Sequence, residues 1–160
     1  MNEIFNKIKF LLKKPKVVVI NEGDPKIIKK FISQILGSHF KVEKEVLIAG
    51  SGEKVNLSNL RYLVLNFDNE KIREVKEKTQ AKIFTFGLKE GADLRATDIK
   101  INGGANFKVD YKGNIVPIWL DKPFGNEQIY AVLSAVAVGI IFDLNLVEIS
   151  QALMGLTSAP

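Results

Sequence analysis

The chain has no cysteine and a single histidine, His39. The first absence excludes disulfides, thiol catalysis and cysteine-ligated zinc. The second excludes a multi-histidine metal centre and any mechanism that needs two histidines. Arginine is scarce: Arg61, Arg73 and Arg95 are the only three, and none lies in the most basic part of the chain. No run of 18 apolar residues occurs. The longest apolar segment, residues 129–142, is interrupted by Ser134 and Gly139 and is too short to cross a bilayer. Lys7 and Lys9 break the first apolar run and no small-residue cleavage site follows, so no signal peptide is expected and the cytoplasm is the expected compartment. The Gly-Lys-Ser/Thr sequence of a phosphate loop is also missing.

What remains is the composition of one globular domain: 160 residues, 46% hydrophobic and 26% charged. The net charge of +5 is local. Residues 1–30 hold eight lysines against Glu3, Glu22 and Asp24, and that excess accounts for the whole of it. The rest of the chain is neutral. A nucleic-acid binder would carry a basic face with arginines or interleaved aromatics, so no nucleic-acid partner is expected.

Residues 3–13 have the spacing of an amphipathic helix, with Ile4, Phe5, Ile8, Leu11 and Leu12 on one face and lysines on the other. Such a helix either packs on the domain edge or lies on an anionic membrane surface. Pro15 ends it. Residues 16–20 form a β-branched run without alternation, the pattern of a buried parallel strand. Asp24 and Pro25 then suit the N-cap and first position of a helix carrying Ile27, Ile28, Phe31, Ile32, Ile35 and Leu36, closed by Gly37. Further strands are expected at 46–49, 62–66 and 82–86, with a turn at 50–54 and a short charged helix at 69–79. From 96 the character changes. Three strands, 96–101, 105–111 and 115–120, follow one another with turns at Gly103-Gly104 and Lys112-Gly113-Asn114. An apolar helix at 127–142 and a last helix capped by Asn145 complete the chain. The expected fold is a shortened three-layer α/β domain: a mostly parallel sheet, a small antiparallel lobe and C-terminal helices.

The loop after the first strand is where an α/β domain holds a phosphate. Here it reads Asn21-Glu22-Gly23-Asp24-Pro25-Lys26-Ile27-Ile28. Glu22 and Asp24 place negative charge where an anion would sit, Pro25 removes a donor, and Ile27 and Ile28 offer no hydroxyl for a metal. Only Lys26 suits the task. Asp93 and Asp98 flank a strand and read as surface groups. His39 has no evident role, and Trp119 reads as core.

From Tyr62 to Leu156 the sequence resembles the later part of the central domain of the Mur ligases, nearest to the branch that adds D-alanyl-D-alanine. The motifs are Leu65-Asn66-Phe67-Asp68-Asn69-Glu70, Phe84-Thr85-Phe86-Gly87-Leu88 and residues 92–99 (Ala-Asp-Leu-Arg-Ala-Thr-Asp-Ile). Asn106-Phe107, the Gly113 turn, residues 128–139 and the ending 146–153 follow in the family's order. Residues 16–36 resemble the family's first strand and phosphate-loop helix. On this reading residues 1–15 are a basic helix, 16–156 the Mur-like domain and 157–160 a linker-like end. The resemblance implies a vestigial nucleotide site at Lys26, Asn66, Asp68 and Gln128.

The departures from the family pattern are chemical. Glu22 and Pro25 stand in place of phosphate-loop glycines, and Ile27 in place of the hydroxyl residue. The segment before Asn66 has no counterpart of the family's metal ligands or modified lysine. The adenine-contacting helix begins Glu127-Gln128 rather than with histidine. The 160 residues are expected to contain neither the UDP-sugar domain nor the amino-acid domain of the family. The expectation is therefore a degenerate central domain in peptidoglycan precursor synthesis, a scaffold or regulator with no catalytic residue, metal or cofactor of its own. Two alternatives stand beside it. One is a shortened ligase subunit using ATP and magnesium with other chains. The other is an interaction module acting through residues 3–13 on a membrane surface or a protein. The expected partners are a second copy or another Mur-pathway protein.

Overall fold

The computed structural model describes residues 17–21, 23–37, 46–50, 60–121 and 126–157. The helix expected at 3–13, His39, Glu22, and most of the turn at 50–54 lie outside them. Seven strands form one sheet in the order β2-β1-β3-β4-β5-β6-β7. They are β1 (Val17–Ile20), β2 (Val46–Ala49), β3 (Tyr62–Asn66), β4 (Lys82–Gly87), β5 (Leu94–Ile101), β6 (Ala105–Tyr111) and β7 (Asn114–Leu120). The helices are α1 (Pro25–Leu36), α2 (Ile72–Glu77), α3 (Asn126–Ile141) and α4 (Leu146–Thr157). The expected mostly parallel three-layer α/β architecture is the observed one.

β1 to β5 run parallel, and β6 and β7 are antiparallel. β1 lies between β2 and β3, with side chains packed on both faces, so Val17, Val18 and Val19 are all fully buried. That is why the run lacks alternation. One face is covered by α1, α3 and α4. The apolar stripe of α1 (Ile28, Phe31, Ile32, Ile35 and Leu36) joins residues 131–139 of α3 in the main core. On the other face Ile72 and Val75 of α2 pack on Val18, Leu63 and Leu65. α2 is shorter than the 69–79 read from the sequence. Local side-chain bonds occupy both flanks: Asn69 Oδ1 accepts the Lys71 N–H, and Thr79 Oγ1 accepts the Ala81 N–H.

The antiparallel strands are not detached from the sheet. β5 begins beside the end of β4, at Phe86↔Leu94 and Gly87↔Arg95, and then runs on past it. A parallel neighbour normally needs a long crossover. Here residues 88–93 suffice because the two strands overlap by only two residue pairs. The loop is pinned by Asp93, whose Oδ2 accepts from the Thr85 N–H (2.8 Å) and hydroxyl (3.1 Å), and by Arg95 Nε, which donates to Leu88 O. The lobe thus extends beyond the C-terminal edge of the parallel strands. α4 packs along β7, and the Ser150 hydroxyl donates to Pro117 O (2.9 Å).

Candidate functional site

The chain passes from β1 through α1 to β2 on one side, then returns to β3 on the other side of β1. In open α/β sheets the crevice outside such a reversal is where ligands bind. Its walls here are Asn21, directly after β1, and Asn66 at the end of β3. The small cavity beside them, bounded also by Ile20, Leu65, Asn69 and Lys71, is about 20 Å³. That is room for about one water molecule.

The polar groups around it are bonded to one another. Asn21 is 5% exposed, and its Nδ2 donates to the carbonyl of Tyr130 in α3 (3.4 Å). Its Oδ1 accepts the Gly23 N–H (3.3 Å). Asp24 caps α1: its Oδ1 accepts the Lys26 N–H (2.9 Å), and its carbonyl accepts from Ile27 and Ile28. Pro25 contributes no donor. Asn66 Oδ1 accepts the Asp68 N–H (3.0 Å). Asp68 in turn takes three donors, the Leu88 N–H (2.7 Å), the Lys89 N–H (3.1 Å) and the Tyr130 hydroxyl (2.8 Å). Gly87 permits this approach, because a Cβ there would lie 2.6 Å from Asp68 Oδ1. Burial, and then the bond to Asp68 and its charge, push the Tyr130 phenol up to about 12.

Of the residues singled out by sequence, Asn66 and Asp68 are joined directly, and Asp68 reaches α3 through Tyr130. Gln128 sits half-buried in the first turn of α3. Lys26 is exposed at the start of α1, at the same end of the sheet, bonded through its backbone to Asp24. Asp98 is a surface group bridged to Lys108 (3.0 Å). Trp119, read as core, is instead 45% exposed, because its neighbours Ile118 and Leu120 alternate onto the buried face. Sequence reasoning missed Asn21 and Tyr130. The available signals were an amide closing a fully apolar strand and the one hydroxyl-bearing aromatic of α3. Among the described residues no group of three or more His, Asp or Glu side chains is placed to hold a metal. No described helix is long and apolar enough to cross a membrane.

Fold and site define a doubly wound α/β domain with an antiparallel extension. No family model matches the chain. It is 36% identical to UDP-N-acetylmuramoyl-L-alanyl-D-glutamate--2,6-diaminopimelate ligase of Listeria innocua over 107 residues, 66% of this chain and 21% of that protein. It is 29% identical to UDP-N-acetylmuramate--L-alanine ligase of Persephonella marina over 98 residues, 61% of this chain and 20% of that protein. In fold it resembles MurF from Acinetobacter baumannii, with a TM-score of 0.67 at 13% identity over 91% of this chain and 46% of that one. A solved UDP-N-acetylmuramoyl-L-alanyl-D-glutamate--2,6-diaminopimelate ligase gives 0.71 at 12% identity over 99% and 50%. The chain is therefore related to the Mur ligases, and its fold is that of their central domain. It spans about a fifth of the length of these curated relatives and about half of the solved chains.

Proposed function

We propose that this chain is a Mur-type central domain that does not itself carry out ATP-dependent ligation, and that it serves peptidoglycan precursor synthesis in the cytoplasm as a scaffold or regulatory element. The observation that carries this reading is the self-capped start of α1. The N–H groups of Gly23 and Lys26 are bonded to the side chains of Asn21 and Asp24, and those of Ile27 and Ile28 to the Asp24 carbonyl. A helix N-terminus attracts a phosphate through free N–H groups and positive partial charge. A carboxylate at the N-cap opposes both. Asp68 is likewise engaged by three donors, and Ile27 and Ile28 carry no hydroxyl. The described residues of this loop and of the β3 end do not fit a magnesium-bound triphosphate.

The second reading, a shortened ligase subunit that works with other chains, is favoured by the exposed Lys26 at the start of α1. Calorimetric titration with Mg-ATP at near-physiological salt separates the two. The proposal expects no heat of binding up to about millimolar nucleotide. Micromolar binding would overturn it and direct attention to a partner chain that completes a ligase.

A further inference from the structure

The polar groups at the end of β1, β3 and β4 are bonded internally. At the tip of the antiparallel lobe the backbone is paired, with the Asn102 N–H donating to Gly104 O, but several described polar side chains are not. A cleft of about 610 Å³ lies there, bounded by Lys100, Asn102, Asn106, Trp119 and Asp121 and floored by the Gly103-Gly104 turn. Register builds it: Lys100 pairs with Asn106, and Asn106 with Trp119. The three side chains therefore stand in one row across β5, β6 and β7. They lie on the outer face, because their neighbours Ala105, Phe107, Ile118 and Leu120 are buried on the inner one. Gly104 is required by the close packing of the turn, since a Cβ there would meet Leu120 O at 2.2 Å. No hydrogen bond or ion pair joins the side chains of Lys100, Asn102, Asn106 or Trp119 to another described residue.

From this arrangement we infer that the lobe cleft is a binding site for a neutral saccharide, with one pyranose ring stacked on Trp119. The volume suits a small ligand. The half-exposed indole supplies a flat apolar platform, which matches the C–H face of a pyranose. Asn102 and Asn106 each donate and accept, as vicinal hydroxyls do, while Lys100 only donates and Asp121 only accepts. The Lys100 and Asp121 charges cancel, so a phosphorylated ligand gains no net attraction there. The site stands on the lobe's own geometry and does not depend on the function proposed above.

Trp119 is the only tryptophan in the chain, so tryptophan emission, excited at wavelengths beyond tyrosine absorption, reports on this cleft alone. Chitotriose, cellotriose and maltotriose are titrated separately to about 10 mM, with calorimetry alongside. At least one should produce a saturable change in emission. Asn106→Ala should weaken binding about tenfold by removing a hydrogen bond, and Trp119→Ala should abolish the calorimetric signal. Both residues are exposed, and circular dichroism confirms that each variant is folded. If Trp119→Ala does not fold, Lys100→Ala beside Asn106→Ala carries the test. Absence of saturation with all three sugars overturns the inference. So does equal affinity in the Asn106→Ala protein, or tighter binding of adenosine or uridine than of any sugar.

Discussion

The Tyr130 hydroxyl donates a 2.8 Å hydrogen bond to Asp68 across 62 residues of sequence. Through it the first turns of α3 are fastened to the end of β3, and Asp68 carries the link on to the Leu88 and Lys89 N–H groups. Removing the hydroxyl leaves a part-buried carboxylate with one donor fewer. Tyr130→Phe is expected to lower the unfolding free energy by about 1–2 kcal/mol, read from urea denaturation. An unchanged midpoint would show that the bond contributes nothing net.

Burial of the Tyr130 phenol, together with the Asp68 contact, has a pH signature. The phenol's pKa is raised from 10.0 to about 12 in the folded state. The native protein therefore keeps a proton that the unfolded chain releases near pH 10. The associated stability is complete below that pH and is lost as pH rises through about 12. A phenolate absorbance titration should contain a late component that Tyr130→Phe removes. Superimposable curves would refute the assignment.

Asp24 caps α1 through the Lys26 N–H. Asp24→Ala should cost about 1 kcal/mol, whereas Asp24→Ser should retain most of the stability because its hydroxyl can accept the same N–H. If the two variants melt together, the cap is not the source of the effect.

Gly139 lies where α1 and α4 close on α3. A Cβ there would come within 2.8 Å of Ile35 Cγ2 and 2.9 Å of Ile149 Cδ1. Gly139→Ala is expected to destabilise by about 1–3 kcal/mol through overpacking. Ile149→Val, which deletes Cδ1, should recover part of that loss. A denaturation cycle in which the two substitutions are strictly additive would exclude the steric explanation.

α3 ends in a paired C-terminal turn, in which the Leu144 N–H donates to Gly139 O and the Asp143 N–H to Ile140 O. Asp143 holds φ 67 there, a left-handed conformation that favours glycine, and its charge opposes the helix C-terminus. Asp143→Gly should raise stability by about 0.5–1 kcal/mol, visible as a higher Tm. A lower Tm would mean that the aspartate has an attachment of its own.

Much of the fold was legible because its signals are local. The buried run at β1, the apolar stripe of α1 and the capping Asn145, whose Oδ1 accepts the Glu148 N–H, all depend on neighbours a few residues away. The glycine turns of the lobe are of the same kind. α2 was overestimated because side-chain bonds at its flanks compete with the helix, and residue spacing does not register that competition. At the candidate site Asp24 and Pro25 were readable as a helix start poor in donors. The bonds from Asn21 and Asp68 to Tyr130 were not readable, since each joins segments brought together only by packing α3 on the sheet.

The sequence by itself determined the alternation of strand and helix, the apolar faces that drive their packing and the acidic, donor-poor start of the first helix. These follow from side-chain periodicity and backbone preferences over one or two turns. Only the tertiary structure decided the strand order, the offset of β5 beyond β4, the closure of Asp68 on Tyr130 and the row of Lys100, Asn106 and Trp119. Each of these depends on which distant segments become neighbours, and that choice is made by burial of the whole sheet against its helices rather than by any local stretch of chain.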